Sequence, residues 1–273
     1  MEMFQYDFIQ RALIAGIAIS FITPIIGLLL ILRRQSLLAD TLSHISLAGV
    51  ALGVLLGTNP TITTLIVVIF ASIAIEYLRI SYRNYSEISV ALMMATGMAV
   101  ALVLMSFSPD SSNFKIDQYL FGSIILITEQ EVWMLVILAI IILVLYIIFR
   151  RPLYVLSFDE ATAHTSGLPV RFMSITFSII TGVAISIMMP IIGALLISAL
   201  IVIPSATAIK ISKSFTQTIL IGIVINLIGI FSGITLSFYY DTPPGASITL
   251  CFVFIFILVS ILNRIFSKAR IQE

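Results

Sequence analysis

The sequence predicts an all-α integral membrane protein, a polytopic helical bundle of about nine transmembrane helices, with eight as the lower count. Three observations carry this. Of 273 residues, 60% are hydrophobic and 10% charged, whereas a soluble domain carries roughly 25% charged residues. So few charges cannot cover a water-facing surface. The apolar runs are close to 20 residues long, enough to cross hydrocarbon as a helix. They also lack the polar/apolar alternation of barrel strands.

The apolar segments run over about 10–32, 36–57, 61–79, 88–107, 131–149, 170–188, 191–208, 216–238 and 245–263. No small-residue cleavage site follows the first, so it reads as a retained span. Short joints separate the others: Gly57-Thr58-Asn59-Pro60, Met189-Pro190 and Asp241-Thr242-Pro243-Pro244-Gly245, where Pro and Gly stop one helix and turn the chain. One longer polar stretch, about 108–130, parts the fourth and fifth spans. Pro24 and Pro204 fall within or at the end of apolar runs, so a split segment changes the count by one. No linker or soluble domain interrupts the chain, and 1–273 reads as a single transmembrane domain.

Charge sets the expected orientation. With nine spans and the N-terminus outside, the inner side holds Arg33, Arg34, Arg79, Arg83, Arg150, Arg151, Arg171, Lys210, Lys213, Arg264, Lys268 and Arg270. Only Arg11 and Lys115 of the 14 basic residues stay outside. Basic residues concentrate on the cytoplasmic side of membrane proteins, which puts the C-terminus in the cytoplasm. Net charge is +1, so no basic field points to nucleic acid.

Two titratable side chains stand inside the second apolar segment, Asp40 and His44. An ionisable group in hydrocarbon costs several kcal/mol, on the order of 3 at a helix centre, unless it is paired or faces water. Four residues apart, the two share a helix face. A carboxylate and an imidazole on one face make half of a divalent-cation site, and zinc prefers four ligands. The competing reading is structural: a mutual hydrogen bond, or a carboxylate held by Arg33 or Arg34. Thr41 and Ser43 flank the pair and are able to hydrogen-bond it.

The segment 152–168 contains Asp159-Glu160-Ala161-Thr162-Ala163-His164-Thr165-Ser166-Gly167. Asp159 and Ala163 share a helical face, and Gly167 is a helix stop. It reads either as a solvated connection or as a short helix that docks on a soluble partner. His164 reads as a surface residue. Asp241, after the aromatic pair Tyr239-Tyr240, reads as a cap for the next helix or as a contact for an arriving cation.

Small residues mark close packing. Gly49 and Gly53 form one GxxxG pattern and Gly229 and Gly233 another, while Gly222, Asn226, Gly229 and Gly233 share a face of the eighth segment. The single cysteine, Cys251, has no internal disulfide partner. No G-x-x-x-x-G-K-[ST] occurs, so this chain has no P-loop for ATP hydrolysis. H-E-x-x-H and G-x-S-x-G are absent as well, and two histidines with one cysteine do not build a complete zinc enzyme site.

Several stretches together resemble the membrane permease subunits of bacterial ABC-type zinc and manganese importers. They are Asp40-Thr41-Leu42-Ser43-His44-Ile45-Ser46-Leu47-Ala48-Gly49-Val50-Ala51, Tyr119-Leu120-Phe121-Gly122-Ser123, Gly193-Ala194-Leu195-Leu196-Ile197 running on to Ile203-Pro204-Ser205-Ala206-Thr207-Ala208, and Tyr240-Asp241-Thr242-Pro243-Pro244-Gly245. The spacing of Asp159, Ala163 and Gly167 matches too. The resemblance runs from about residue 11 to 262.

That resemblance implies a non-enzymatic transport subunit in the bacterial inner membrane, working as a dimer of two copies. Each copy is expected to bind a cytoplasmic ABC ATPase, and an extracytoplasmic metal-binding protein delivers the ion. Asp40 and His44 are then the metal-contacting pair, and Asp159, Glu160, Ala163 and Gly167 belong to a coupling helix on the ATPase. No cofactor is held permanently; Zn2+, or alternatively Mn2+, is the transported substrate. The stretch from Phe238 to Cys251 is more similar to the zinc branch. Other readings are a permease for a chelated metal or vitamin, and an ATPase-independent channel or carrier.

Overall fold

The computed structural model describes residues 6–82, 86–107, 116–123 and 127–271. Arg83 lies outside the described residues, as do 108–115 (with Lys115) and 124–126 of the polar stretch 108–130. Among these residues eleven helices follow in chain order: α1 Asp7–Leu32, α2 Leu38–Leu55, α3 Pro60–Ser81, α4 Ser86–Ser106, α5 Ile116–Phe121, α6 Glu129–Phe158, α7 Glu160–Thr165, α8 Val170–Ile192, α9 Ile197–Ile211, α10 Phe215–Tyr240 and α11 Pro244–Ile271. Among the described residues there is no strand. Hydrocarbon offers no partner to a free N–H or C=O, so a spanning segment must satisfy its backbone internally, as a helix does.

Eight of these helices are long and apolar enough to cross a membrane: α1, α2, α3, α4, α6, α8, α10 and α11. The ninth expected span is different. α9 has 15 residues, about 22 Å at 1.5 Å per residue, short of a core roughly 30 Å thick. The joint expected at Met189-Pro190 is not there either. α8 continues through Pro190 to Ile192 and ends at Gly193, whose φ is +95°. Proline is tolerated inside a spanning helix when neighbours serve the freed carbonyl; a positive φ stops it outright. Likewise α6 does not end near Arg150 and Pro152 but runs on to Phe158. The expected long inner connection therefore shrinks to one residue, Asp159, before α7.

The chain divides into two compact units. One comprises 1–35, 124–154 and 199–273, the other 36–123 and 155–198. In the first, α1 and α10 run antiparallel. A Cβ on Gly16 would meet Ile230 Cγ2 at 2.7 Å, and one on Gly222 would meet Pro24 Cβ at 2.8 Å. Gly233 lets α10 approach the backbone of α11 at Ile248, and Gly229 makes room for the fully buried ring of Phe252. The three glycines of α10 thus serve two neighbours: Gly222 faces α1, and the GxxxG pair faces α11. Arg11 donates to the carbonyl of Ile127 at 3.0 Å.

In the second unit α2 is packed by α3, α4 and α8. Gly49 and Gly53 both face α3, at Thr64 and Pro60. Gly97 brings α4 against the backbone of Ile45, and Thr41 Oγ1 donates to the carbonyl of Val90 on α4 at 3.3 Å. Ser46 on α2 and Ser186 on α8 share a buried hydroxyl–hydroxyl bond of 3.0 Å. Glu76 on α3 is buried, pairs with Arg79 at 2.9 Å and accepts from Ser178 Oγ on α8 at 3.5 Å.

Candidate functional site

Asp40 lies in the first turn of α2, and His44 one turn further on. The helix N-terminus carries partial positive charge, which favours a carboxylate there. Both side chains are half-buried. The two make no hydrogen bond with each other, and the buried Nδ1 of His44 bonds no group of the described chain. Among the described residues of this unit, Arg79 and Glu76 form a guanidinium–carboxylate pair. Nor do the flanking hydroxyls serve the pair. Thr41 donates to the carbonyls of Leu37 and Val90, and Ser43 donates to the backbone carbonyl of Asp40 at 2.9 Å. A buried polar atom without a partner costs about 1–3 kcal/mol, so the His44 Nδ1 has a bonding position to offer.

Among the described residues, no group of three or more His, Cys, Asp or Glu side chains could hold a metal ion. One chain supplies two ligands at most from this pair, and a four-ligand set needs donors from elsewhere.

The second candidate is α7. Asp159 is its N-cap, accepting from the N–H groups of Ala161 at 2.9 Å and Thr162 at 3.2 Å. The Thr162 hydroxyl also donates to the carboxylate. That side-chain bond first, and the backbone bonds with it, hold the Asp159 carboxyl below its ordinary value. At the other end Gly167 takes φ +76°. Its N–H bonds the carbonyl of His164, and the N–H of Leu168 bonds that of Ala163. This 6→1 and 5→2 pairing is a Schellman stop.

Between these caps Ala163 is fully buried, packed with Leu156 of α6 and Val170 of α8, and with Val155, Leu168 and Met173 around them. The face turned to solvent carries Glu160, Ala161, His164 and Thr165. The shared face of Asp159 and Ala163 is therefore not one surface in function: Asp159 caps the helix, while Ala163 fastens it to the same chain. No local pattern signals this burial, because the burying partners lie on either side of α7.

Asp241 does not cap α11. It ends α10, in the left-handed region at φ 55°, with Thr242 N–H bonded to the carbonyl of Ser237. Its exposed carboxylate borders a cavity of about 410 Å³ that Phe8, Ile9, Phe238 and Pro243 also line.

Two stretches that carried the resemblance meet within the second unit. Tyr119 and Leu120 accept from the N–H groups of Ala194 (2.8 Å) and Leu195 (3.2 Å), and Ser123 N–H donates to the carbonyl of Pro190 (3.3 Å). The end of α5 is thus laced to the end of α8.

The sequence profile of the ABC 3 transport family matches residues 5–263. The chain is 29% identical over 255 residues to the high-affinity zinc uptake system membrane protein ZnuB of Haemophilus influenzae, covering 93% of this chain and 97% of that one. It is 26% identical over 272 residues to the manganese transport system membrane protein MntC of Listeria monocytogenes, covering 98% and 96%. Among solved structures, PsaBC from Streptococcus pneumoniae in complex with Fab aligns with a TM-score of 0.84 at 26% identity, covering 94% of this chain and 92% of that one.

Proposed function

Because the chain belongs to the ABC 3 transport family, we propose that it is the membrane permease of an ATP-driven importer that carries a divalent metal ion, zinc first, into the cytoplasm. The observation that carries this reading is the half-buried Asp40–His44 pair on α2, in which the buried imidazole Nδ1 is unbonded. Zinc takes nitrogen and oxygen donors together, and the zinc uptake relative supports it as cargo. Manganese is the second reading, favoured by the similarity to the MntC protein and allowed by the same donor set.

Two ligands from one chain make an incomplete site. A second copy presenting the same pair completes four, and a weakly held ion leaves as readily as it arrives. A metal-binding protein outside the cell hands over the stripped ion; a cytoplasmic ATPase dimer supplies the energy. With α9 counted as a short ninth crossing, the N-terminus lies outside and the C-terminus in the cytoplasm, the side on which the basic residues then concentrate.

Motion reaches the metal pair through one unit of the chain. The exposed face of α7, with Glu160, Ala161 and His164, rests on the ATPase, and buried Ala163 fastens α7 to the start of α8. Further along, α8 holds α2 through the Ser186–Ser46 bond, two residues from His44. Displacing α7 thus moves the ligand helix.

The test is cellular zinc and manganese content by mass spectrometry, in cells lacking their own importer and supplied with the ATPase, the binding protein and either wild-type chain or His44→Ala. Zinc restored by wild type alone supports the reading in full. Manganese restored instead keeps the site and changes the cargo. Restoration by both forms overturns the role given to His44, and restoration by neither form overturns metal import.

A further inference from the structure

Inside the first unit lies a fully buried amide that the transport reading does not use. Asn226, on α10, has no exposed surface, and neither its Oδ1 nor its Nδ2 bonds any group of the described chain. Asparagine within a spanning helix stays there at a cost unless it finds a partner.

The register between α1 and α10 shows what stands opposite it. Gly16 faces Ile230, and Pro24 faces Gly222. Both intervals are eight residues, run in opposite directions, and have Ser20 and Asn226 as their midpoints. Gly222, Asn226, Ile230 and Ile234 form one i, i+4 row of α10, and the members on either side of Asn226 touch α1. Asn226 is therefore level with Ser20, on the face turned to it.

Ser20 is also the residue whose backbone the sequence has left short. In a helix its carbonyl accepts from the N–H four residues on, which here is Pro24, and proline has none. Ser20 is fully buried, so bulk water and lipid give that carbonyl no relief. Its own hydroxyl already donates to the carbonyl of Gly16 at 2.7 Å. An unserved acceptor and an unserved amide thus occupy the same level of the same helix pair.

We propose that Asn226 and the Ser20 carbonyl form a binding site for one buried water, which replaces the donor removed by Pro24. Asn226 Nδ2 donates to the water oxygen, and the water donates to the Ser20 carbonyl. Buried waters occupy polar sites of this kind, bonded to groups that otherwise lack partners. Proline within spanning helices is accommodated in the same way, by side chains and ordered water that re-satisfy the freed backbone group. The site is independent of metal and of the ATPase.

A double-mutant cycle in the intact protein, in lipid nanodiscs, tests it by thermal melting. Asn226→Leu conserves volume and removes the amide. In the native background it should lower Tm by roughly 2–4 °C. In Pro24→Ala, whose restored N–H serves Ser20 directly, the same change should leave Tm unchanged or raise it. Equal losses in both backgrounds, or a rise in the native one, overturn the proposal. A cryo-EM map that resolves waters gives a second measure that requires no variant. Density within hydrogen-bond distance of both Asn226 Nδ2 and the Ser20 carbonyl supports the site; a direct amide–carbonyl contact there removes the water.

Discussion

Gly122 and Gly193 meet backbone to backbone. A Cβ on Gly122 would strike the carbonyl group of Ile192, and one on Gly193 would strike Leu120 and Phe121. Both glycines also hold positive φ, +74° and +95°. Two independent reasons thus exclude any other residue, and the three hydrogen bonds that lace α5 to the end of α8 depend on that approach.

Gly193→Ala should therefore be far more damaging than an alanine at another positive-φ glycine. Gly57 has φ +61° and nothing within 4 Å of a new Cβ, so Gly57→Ala carries only the left-handed cost of about 1–2 kcal/mol. Gly193→Ala adds backbone overlap that no rotamer relieves. Melting of the two purified variants in one detergent should rank them in that order. Equal Tm values would mean that the α5–α8 contact yields easily.

The buried pair Glu76–Arg79 predicts an asymmetry. The Glu76 side chain is 3% exposed and that of Arg79 16%. Arg79→Ala leaves a carboxylate buried without its cation, a loss of about 3–5 kcal/mol. Glu76→Ala frees an arginine near the end of α3, whose long stem can carry its charge towards the interface. The arginine variant should be the less stable of the two by thermal melting. The reverse order would show that the carboxylate is served by water rather than by Arg79.

Much of this architecture was legible in the sequence, and what was missed has a common cause. The apolar segments and the Asp40–His44 spacing are local signals, read from periodicity and from charges in the wrong solvent. The end of α8 is not local. Met189-Pro190 marks a turn on paper, yet the helix passes through it. The stop is Gly193, whose partner Gly122 lies far away in the chain. Asp241 misled for a similar reason: a carboxylate before Pro-Pro is a cap by composition, but the left-handed turn it occupies belongs to the preceding helix. Ala163 carries no signal at all, since a small residue in a six-residue helix has no periodicity to reveal its burial.

That burial sharpens the expectation for Ala163→Leu. Extra methylenes at a site with no exposed surface cost typically about 1–3 kcal/mol, and the relief available is to push α7 off Leu156 and Val170. ATP hydrolysis by the assembled complex should continue while metal uptake falls. His164→Ala, on the exposed face of α7, should leave stability untouched and weaken only the proposed ATPase contact. Co-purification and uptake on the two variants separate these effects. Normal uptake in Ala163→Leu would count against α7 as the moving part.

Finally, Asp159 gives α7 a pH dependence whose sign is fixed. Its carboxyl is held below the ordinary value of 3.8, first by the Thr162 hydroxyl. A lowered folded value means stability that is complete above the unfolded value and is lost as pH falls through the folded one. Between pH 5 and 8 the cap is therefore constant, so any change in coupling across that range arises elsewhere. Amide hydrogen exchange at Ala161 and Thr162, after correction for the intrinsic pH effect, should stay flat down to about pH 4 and accelerate below it. Asp159→Asn keeps an acceptor at the N-cap and should abolish the acid limb. Asp159→Ala should exchange faster at every pH. An acid limb that survives in the asparagine variant would place the titrating group outside this cap.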